Sequence, residues 1–296
     1  MCAARSRRCN ETGLASAPRP NDKSPKFKDN ATMTLRPLLL LASLLMGSLS
    51  PALAQAPAEG KACAMVVMHG KWGGPRFLEG FARAMAPACD AKSIEMPWSG
   101  RRGYDAGYPT ALQEISTQVQ AFRAQGYRRV LLAGHSFGAN AVMAYMAEVG
   151  DADGIIALAP GHAPRYMYDA GMDRSAVDEA RTAVASGRVD EKIKLNDMNQ
   201  GQRRDFNLPA QVLLSYFEPD GLGHMPATAA RFKRAVPFLW VIGTRDPLYP
   251  SGEGFAYALA LPHPQSSYVV VQADHKDTPE VATSQVLAWV RQVVAP

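Results

Sequence analysis

The chain has 296 residues, 47% of them hydrophobic and 20% charged, with 24 Gly, 22 Pro and 4 Cys. That length suits one large domain or two small ones with a sizeable core, and the composition excludes a disordered or collagen-like chain. The net charge of +5 makes no case for a nucleic-acid partner, because the excess sits at one end. Residues 1–54 carry eight basic and three acidic side chains, which leaves 24 of each sign in residues 55–296.

The first element in chain order is the apolar run 38–50, LLLLASLLMGSLS, preceded by Arg36 and closed by Pro51. A bilayer span needs about 20 apolar residues, so this run is short for an anchor and fits the hydrophobic segment of a secretory signal. Ala52-Leu53-Ala54 supplies small residues for cleavage before Gln55, and Met33 is the expected start of translation. The expectation is a leader over 1–54 and a mature domain over 55–296, periplasmic or secreted, with no membrane span once the leader is removed. Cys2 and Cys9 leave with it. Cys63 and Cys89 remain, 26 residues apart, and in an oxidising compartment they are expected to form a disulfide. Neither a CxxC pair nor an HExxH motif occurs, so no metal or other cofactor is expected.

From residue 62 short apolar runs alternate with longer amphipathic stretches. Strands are predicted at 64–69, 92–96, 129–134, 154–159, 237–242 and 267–272, and helices at 76–86, 110–125, 137–149, 252–260 and 279–294. Most of the strands are apolar throughout, as parallel strands covered on both faces should be. In 137–149 the residues Val142, Tyr145, Met146 and Val149 fall on one helical face. The pattern predicts an α/β fold, a mainly parallel sheet of about six strands with helices on both faces. Residues 161–234 break the rhythm. This interval is far longer than a crossover helix needs, and with a helix at 174–186 it reads as an inserted helical cap.

The chemistry concentrates where strands end. Arg129–Asn140 reads RVLLAGHSFGAN, an apolar strand running into G-H-S-F-G and then an Ala-rich helix. Such a strand–turn–helix bend leaves no room for side chains two residues before and after the serine, and it lifts the Ser136 hydroxyl clear of the sheet. A serine hydroxyl needs a base, and the base a carboxylate. His275, after the last strand in ADHKD, is the candidate base; Asp246, in IGTRDP after strand 237–242, is the candidate carboxylate. Of the other histidines, His135 should point away from the nucleophile, His69 should brace its HG turn, His162 and His224 border the cap, and His263 lies in a loop. An oxyanion hole needs two aimed donors. The backbone N–H of Phe137 is one, and that of Lys71, in HGKWGG, is the other; Trp72 is next in line, and the Lys71 charge reads as incidental. Trp72, Trp98 and Tyr166 are candidate substrate-binding residues.

On GHSFG at 134–138, HGKWGG at 69–74, IGTRDP within 241–247 and ADHKD at 273–277, residues 62–294 resemble an α/β-hydrolase of the exported serine esterase or lipase type. The resemblance implies Ser136, Asp246 and His275 as nucleophile, acid and base. The two strands that commonly open that fold are missing, which leaves a compact six-stranded version. Serine at the bend argues against the dehalogenase and epoxide-hydrolase branches, which carry aspartate there. The expected activity is cleavage of carboxylic esters through an acyl-enzyme, on a small-molecule ester or acyl substrate. An acyltransferase, a thioesterase or a small-amide hydrolase would use the same three residues, and a binding protein on this fold would need none of them. The sequence sets no oligomeric state.

Overall fold

The computed structural model describes residues 62–295. The expected leader, with Met33 and the cleavage site after Ala54, lies outside the described residues. The chain enters on β1 (Cys63–Met68), passes a 3-10 turn (Pro75–Leu78) into α1 (Glu79–Ala84), and continues through β2 (Asp90–Ile94), α2 (Tyr108–Ala124), β3 (Arg129–Ser136), α3 (Phe137–Glu148) and β4 (Gly154–Pro160). An insertion follows: α4 (Pro164–Asp169), α5 (Arg174–Ala185), β5 (Lys192–Asn199), β6 (Gln202–Pro209), α6 (Ala210–Phe217) and α7 (Met225–Ala229). The chain then returns to β7 (Phe238–Gly243), β8 (Ser267–Val271), α8 (Thr278–Val281) and α9 (Thr283–Val294).

Six strands form one sheet in the order β2-β1-β3-β4-β7-β8, and every pairing in it is parallel. The continuous apolar runs follow from burial on both faces. In β1, Ala64, Val66 and Met68 join the core under α2 and α3, while Cys63, Met65 and Val67 join a second core under α1 and α9. Each covering helix presents one stripe: Ala111, Leu112, Ile115, Val119 and Phe122 of α2, and Val286, Trp289, Val290 and Val293 of α9, are buried at helical spacing. α3 is different, because the insertion covers its outer side; all of it but Glu148 is buried. Cys63 and Cys89 are joined by a disulfide within the second core, their Cα atoms 4.6 Å apart.

The strand expected at 92–96 lies at 90–94, the helix expected at 76–86 opens as a 3-10 turn, and the one expected at 279–294 is broken at Ala282; two further elements differ in kind. The predicted helix over 252–260 is a series of 3-10 turns, Tyr249–Ser251, Glu253–Phe255 and Tyr257–Leu259. Gly252, with φ +64°, interrupts any longer helix there. The insertion is not purely helical either. β5 and β6 form an antiparallel two-stranded hairpin paired from Lys192↔Pro209 to Asn199↔Gln202. In β5 the side chains alternate, Ile193, Leu195 and Asp197 buried and Lys192, Lys194 and Asn196 exposed, the period-two signature of a strand with one covered face.

Candidate active site

All the candidate residues stand at the carboxyl edge of the parallel strands, where open α/β sheets leave a crevice. Ser136 ends β3 and precedes α3 with φ +55° and ψ −114°, a conformation a non-glycine residue holds only under constraint. The flanking glycines are the constraint. A Cβ on Gly134 would lie 2.1 Å from the Gly138 carbonyl, and one on Gly138 would lie 2.2 Å from the Met68 carbonyl oxygen. Neither position can carry a side chain while the bend keeps this shape.

Asp246 and His275 come from the loops after β7 and β8. His275 Nδ1 donates to Asp246 Oδ2 at 2.7 Å, and the other Asp246 oxygen accepts the Leu248 N–H at 2.8 Å. Both side chains are buried. A hydrogen-bonded imidazole is thereby held in one tautomer, with Nε2 left able to accept a proton. Ser136 Oγ and His275 Cε1 lie 2.7 and 3.3 Å from the single point where a Cβ on Gly161 would stand. The hydroxyl and the ring are neighbours without a direct hydrogen bond, a spacing common before a substrate binds. His135 turns its ring away from the hydroxyl, as its place beside Ser136 requires. Its Nε2 donates to the His275 carbonyl oxygen at 2.9 Å, and burial, aided by the nearby His275, pushes its pKa down to about 3. His135 is therefore a neutral prop beneath His275.

The HG loop passes directly against Ser136, since a Cβ on Gly70 would lie 2.9 Å from Ser136 Cβ. The Gly70 carbonyl oxygen accepts from His69 Nδ1 at 2.8 Å and from the Gly73 N–H at 3.1 Å. In a trans peptide this turns the Lys71 N–H the opposite way. His69 Nε2 accepts the Met96 N–H at 3.1 Å, so its ring is neutral, in keeping with a pKa lowered by burial. The Trp72 N–H is bonded to the Trp98 carbonyl at 2.8 Å, which removes Trp72 as the alternative donor.

The Lys71 side chain is not incidental. Its ammonium, buried, bonds Asp197 Oδ1 of β5 at 2.7 Å and the Met198 carbonyl at 3.1 Å. Asp197, fully buried, also accepts from Trp72 Nε1 at 3.1 Å, Tyr104 OH at 2.7 Å and the Met198 N–H at 2.8 Å. Asn199 Nδ2 donates to the Lys71 carbonyl at 3.0 Å. The hairpin is thus fastened to the HG loop on both sides of Lys71. Sequence reasoning missed Asp197 and Asn199; the alternation of KIKLND was the available signal.

The three candidate substrate-binding residues separate. Tyr166 is 65% exposed and lines the cleft. Trp72 and Trp98 do not line it: Trp72 packs on Phe206 beneath the Arg204 guanidinium, and Trp98 is fully buried, stacked on Phe137 with its indole N–H on the His69 carbonyl. His162 is likewise engaged, stacked on Phe137 at 4.0 Å with Nε2 2.8 Å from the Tyr216 carbonyl oxygen. The cleft has three neighbouring parts that share lining residues. One of about 390 Å³ adjoins Asp246 and His275 and is lined by Ala163, Met225, Leu248 and Phe255; two smaller ones, about 190 and 140 Å³, both adjoin Ser136 and His275. Among the described residues no cluster of His, Cys, Asp and Glu is arranged to hold a metal ion, and no helix is long and apolar enough to cross a membrane.

The chain matches the family described as "Alpha/beta hydrolase family" over residues 65–288. No curated protein matches it by sequence. Among solved structures it is similar to Est1E from Butyrivibrio proteoclasticus, at 16% identity and TM-score 0.56, over 81% of this chain and 91% of that one. It is also similar to a monoacylglycerol lipase from Paleococcus ferrophilus (17% identity, TM-score 0.54, 77% of this chain and 94% of that one). A third is the siderophore hydrolase EstB from Aspergillus fumigatus (13% identity, TM-score 0.53, 81% and 93%). At such identities the likeness is one of fold.

Proposed function

Because the chain belongs to the alpha/beta hydrolase family, we propose that it is an exported serine hydrolase that cleaves carboxylic esters through an acyl-enzyme on Ser136. The observation that carries this reading is the 2.7 Å His275–Asp246 pair closing beside a serine held at φ +55°. In the first half-reaction Ser136 Oγ attacks the ester carbonyl carbon while His275 Nε2 takes the hydroxyl proton. Asp246 stabilises the imidazolium. The N–H groups of Phe137 and Lys71 receive the carbonyl oxygen as it gains negative charge, and the imidazolium returns its proton to the departing alkoxide. Water, deprotonated by the same His275, then releases the acid. Esters are favoured over amides because an alkoxide leaves with less assistance than an amine. The disulfide in the second core supports export, since such bonds persist in oxidising compartments.

Labelling with a fluorophosphonate probe tests this reading. Wild type becomes covalently labelled, and Ser136→Ala abolishes labelling together with hydrolysis of p-nitrophenyl butyrate. Labelling that survives Ser136→Ala removes the proposed nucleophile.

A further inference from the structure

The turn joining β5 to β6 places Gln200 on the wall of the two cleft parts that Ser136 also lines. Gln200 has φ +50° and Gly201 has φ +76°, the left-handed pair of a two-residue hairpin turn in which Asn or Gly usually holds the first position. Glutamine is neither, so the turn holds a bulkier, less easily accommodated side chain at this point. The tip cannot drift, because the ladder continues to Asn199↔Gln202 and Asn199 is bonded to the Lys71 carbonyl. Of the residues around the three neighbouring parts of the cleft, Gln200 and His275 are the two that line every part. The Gln200 carboxamide makes no hydrogen bond to any described residue, and the side chain is exposed at the mouth of the cleft. The largest part is walled by Pro160, Ala163, Met225, Pro247, Leu248 and Phe255. Its one charged group, Asp246, is engaged with His275.

Resting on the ester-hydrolase reading, we propose that Gln200 is a specificity-determining residue. Its carboxamide donates a hydrogen bond to an oxygen of the bound ester, and the ester's substituent in the 390 Å³ part is neutral and apolar, an aromatic ring or a short alkyl chain. The 390 Å³ part also offers no cationic side chain to a negatively charged acyl group, Lys71 and Lys276 lining only the smaller parts. The substrate class is therefore neutral esters, with carboxylate-bearing ones disfavoured.

Two variants test this, with p-nitrophenyl butyrate and mono-p-nitrophenyl succinate as substrates. Gln200→Gly suits the backbone, so its melting temperature holds or rises and lost activity is not unfolding. It should lower kcat/KM for the butyrate about three- to tenfold, mainly through KM, as expected for one lost neutral hydrogen bond. Gln200→Arg should raise the succinate-to-butyrate ratio of kcat/KM at least about tenfold, the reach of one charge-assisted contact. If both variants match wild type within about twofold on both esters, Gln200 does not touch the substrate. Fluorophosphonate labelling separates the two failures: labelled protein with unaltered Gln200 variants overturns this inference alone, whereas unlabelled wild type overturns the hydrolase reading and this inference with it.

Discussion

Asp173, just before α5, buries both carboxylate oxygens without a hydrogen-bond partner among the described residues. Burial raises its pKa to about 6; Lys71 opposes the shift and Asp197 adds to it. The folded state therefore holds a proton that the unfolded chain has released, between the ordinary value of 3.8 and about 6. Stability contributed at this site is intact below that window and falls as pH rises through it. Asp173→Asn should flatten this fall and raise stability at neutral pH by about 1–3 kcal/mol, read as melting temperature against pH for both proteins. His135 makes a different prediction. It remains neutral near neutral pH, so no ionisation seen there in a rate profile belongs to it. Replacing it by Phe removes the bond to the His275 carbonyl and should lower kcat about three- to tenfold while fluorophosphonate still labels Ser136 to completion.

Among the elements, the hairpin is the one whose loss reaches furthest. Asp197→Ala strands the Lys71 ammonium in a buried setting and should cost about 3–5 kcal/mol. Lys71→Met leaves Asp197 with its three other donors and should cost less. The double variant should be little worse than Asp197→Ala alone, because both changes break the same pair. Denaturant melts of the four proteins measure this; additive losses would contradict the fastening. The hairpin also shows what was legible. Most of the sheet strands could be read because burial on both faces writes them as unbroken apolar runs; the edge strands β2 and β8 are only partly buried, and β2 reads as the mixed DAKSI. The segments bearing Ser136, Asp246 and His275 could be read because each directly follows such a run. β6 was hidden by its exposed, charged face, as in Arg203, Arg204 and Asp205. Trp72 and Trp98 misled because an aromatic near a site looks the same in sequence whether it meets a ligand or buttresses a loop. Only the partners of their indole N–H groups, Asp197 and the His69 carbonyl, tell the two apart.

For the whole molecule, the disulfide ties the start of β1 to the entry of β2 at the sheet edge, closing a loop of 26 residues. Its stabilisation should be about 2–4 kcal/mol, lost on reduction or in Cys63→Ala/Cys89→Ala and visible as a lower melting temperature in reductant. The sheet, its two cores and the carboxyl-edge crevice followed from hydrophobic patterning. The way the insertion grips the HG loop did not, because it depends on pairings between residues more than a hundred positions apart, such as Lys71 and Asp197.

That grip limits how the protein can be recombined. Transplanting residues 161–234 from another family member would carry off the counter-ion of Lys71 while leaving the lysine behind. A chimera with junctions only at the ends of the insertion would thus import a new roof and strand the buried Lys71 ammonium without its counter-ion. A viable exchange must move the segment from His69 to Gly74 along with the roof, as one inherited part.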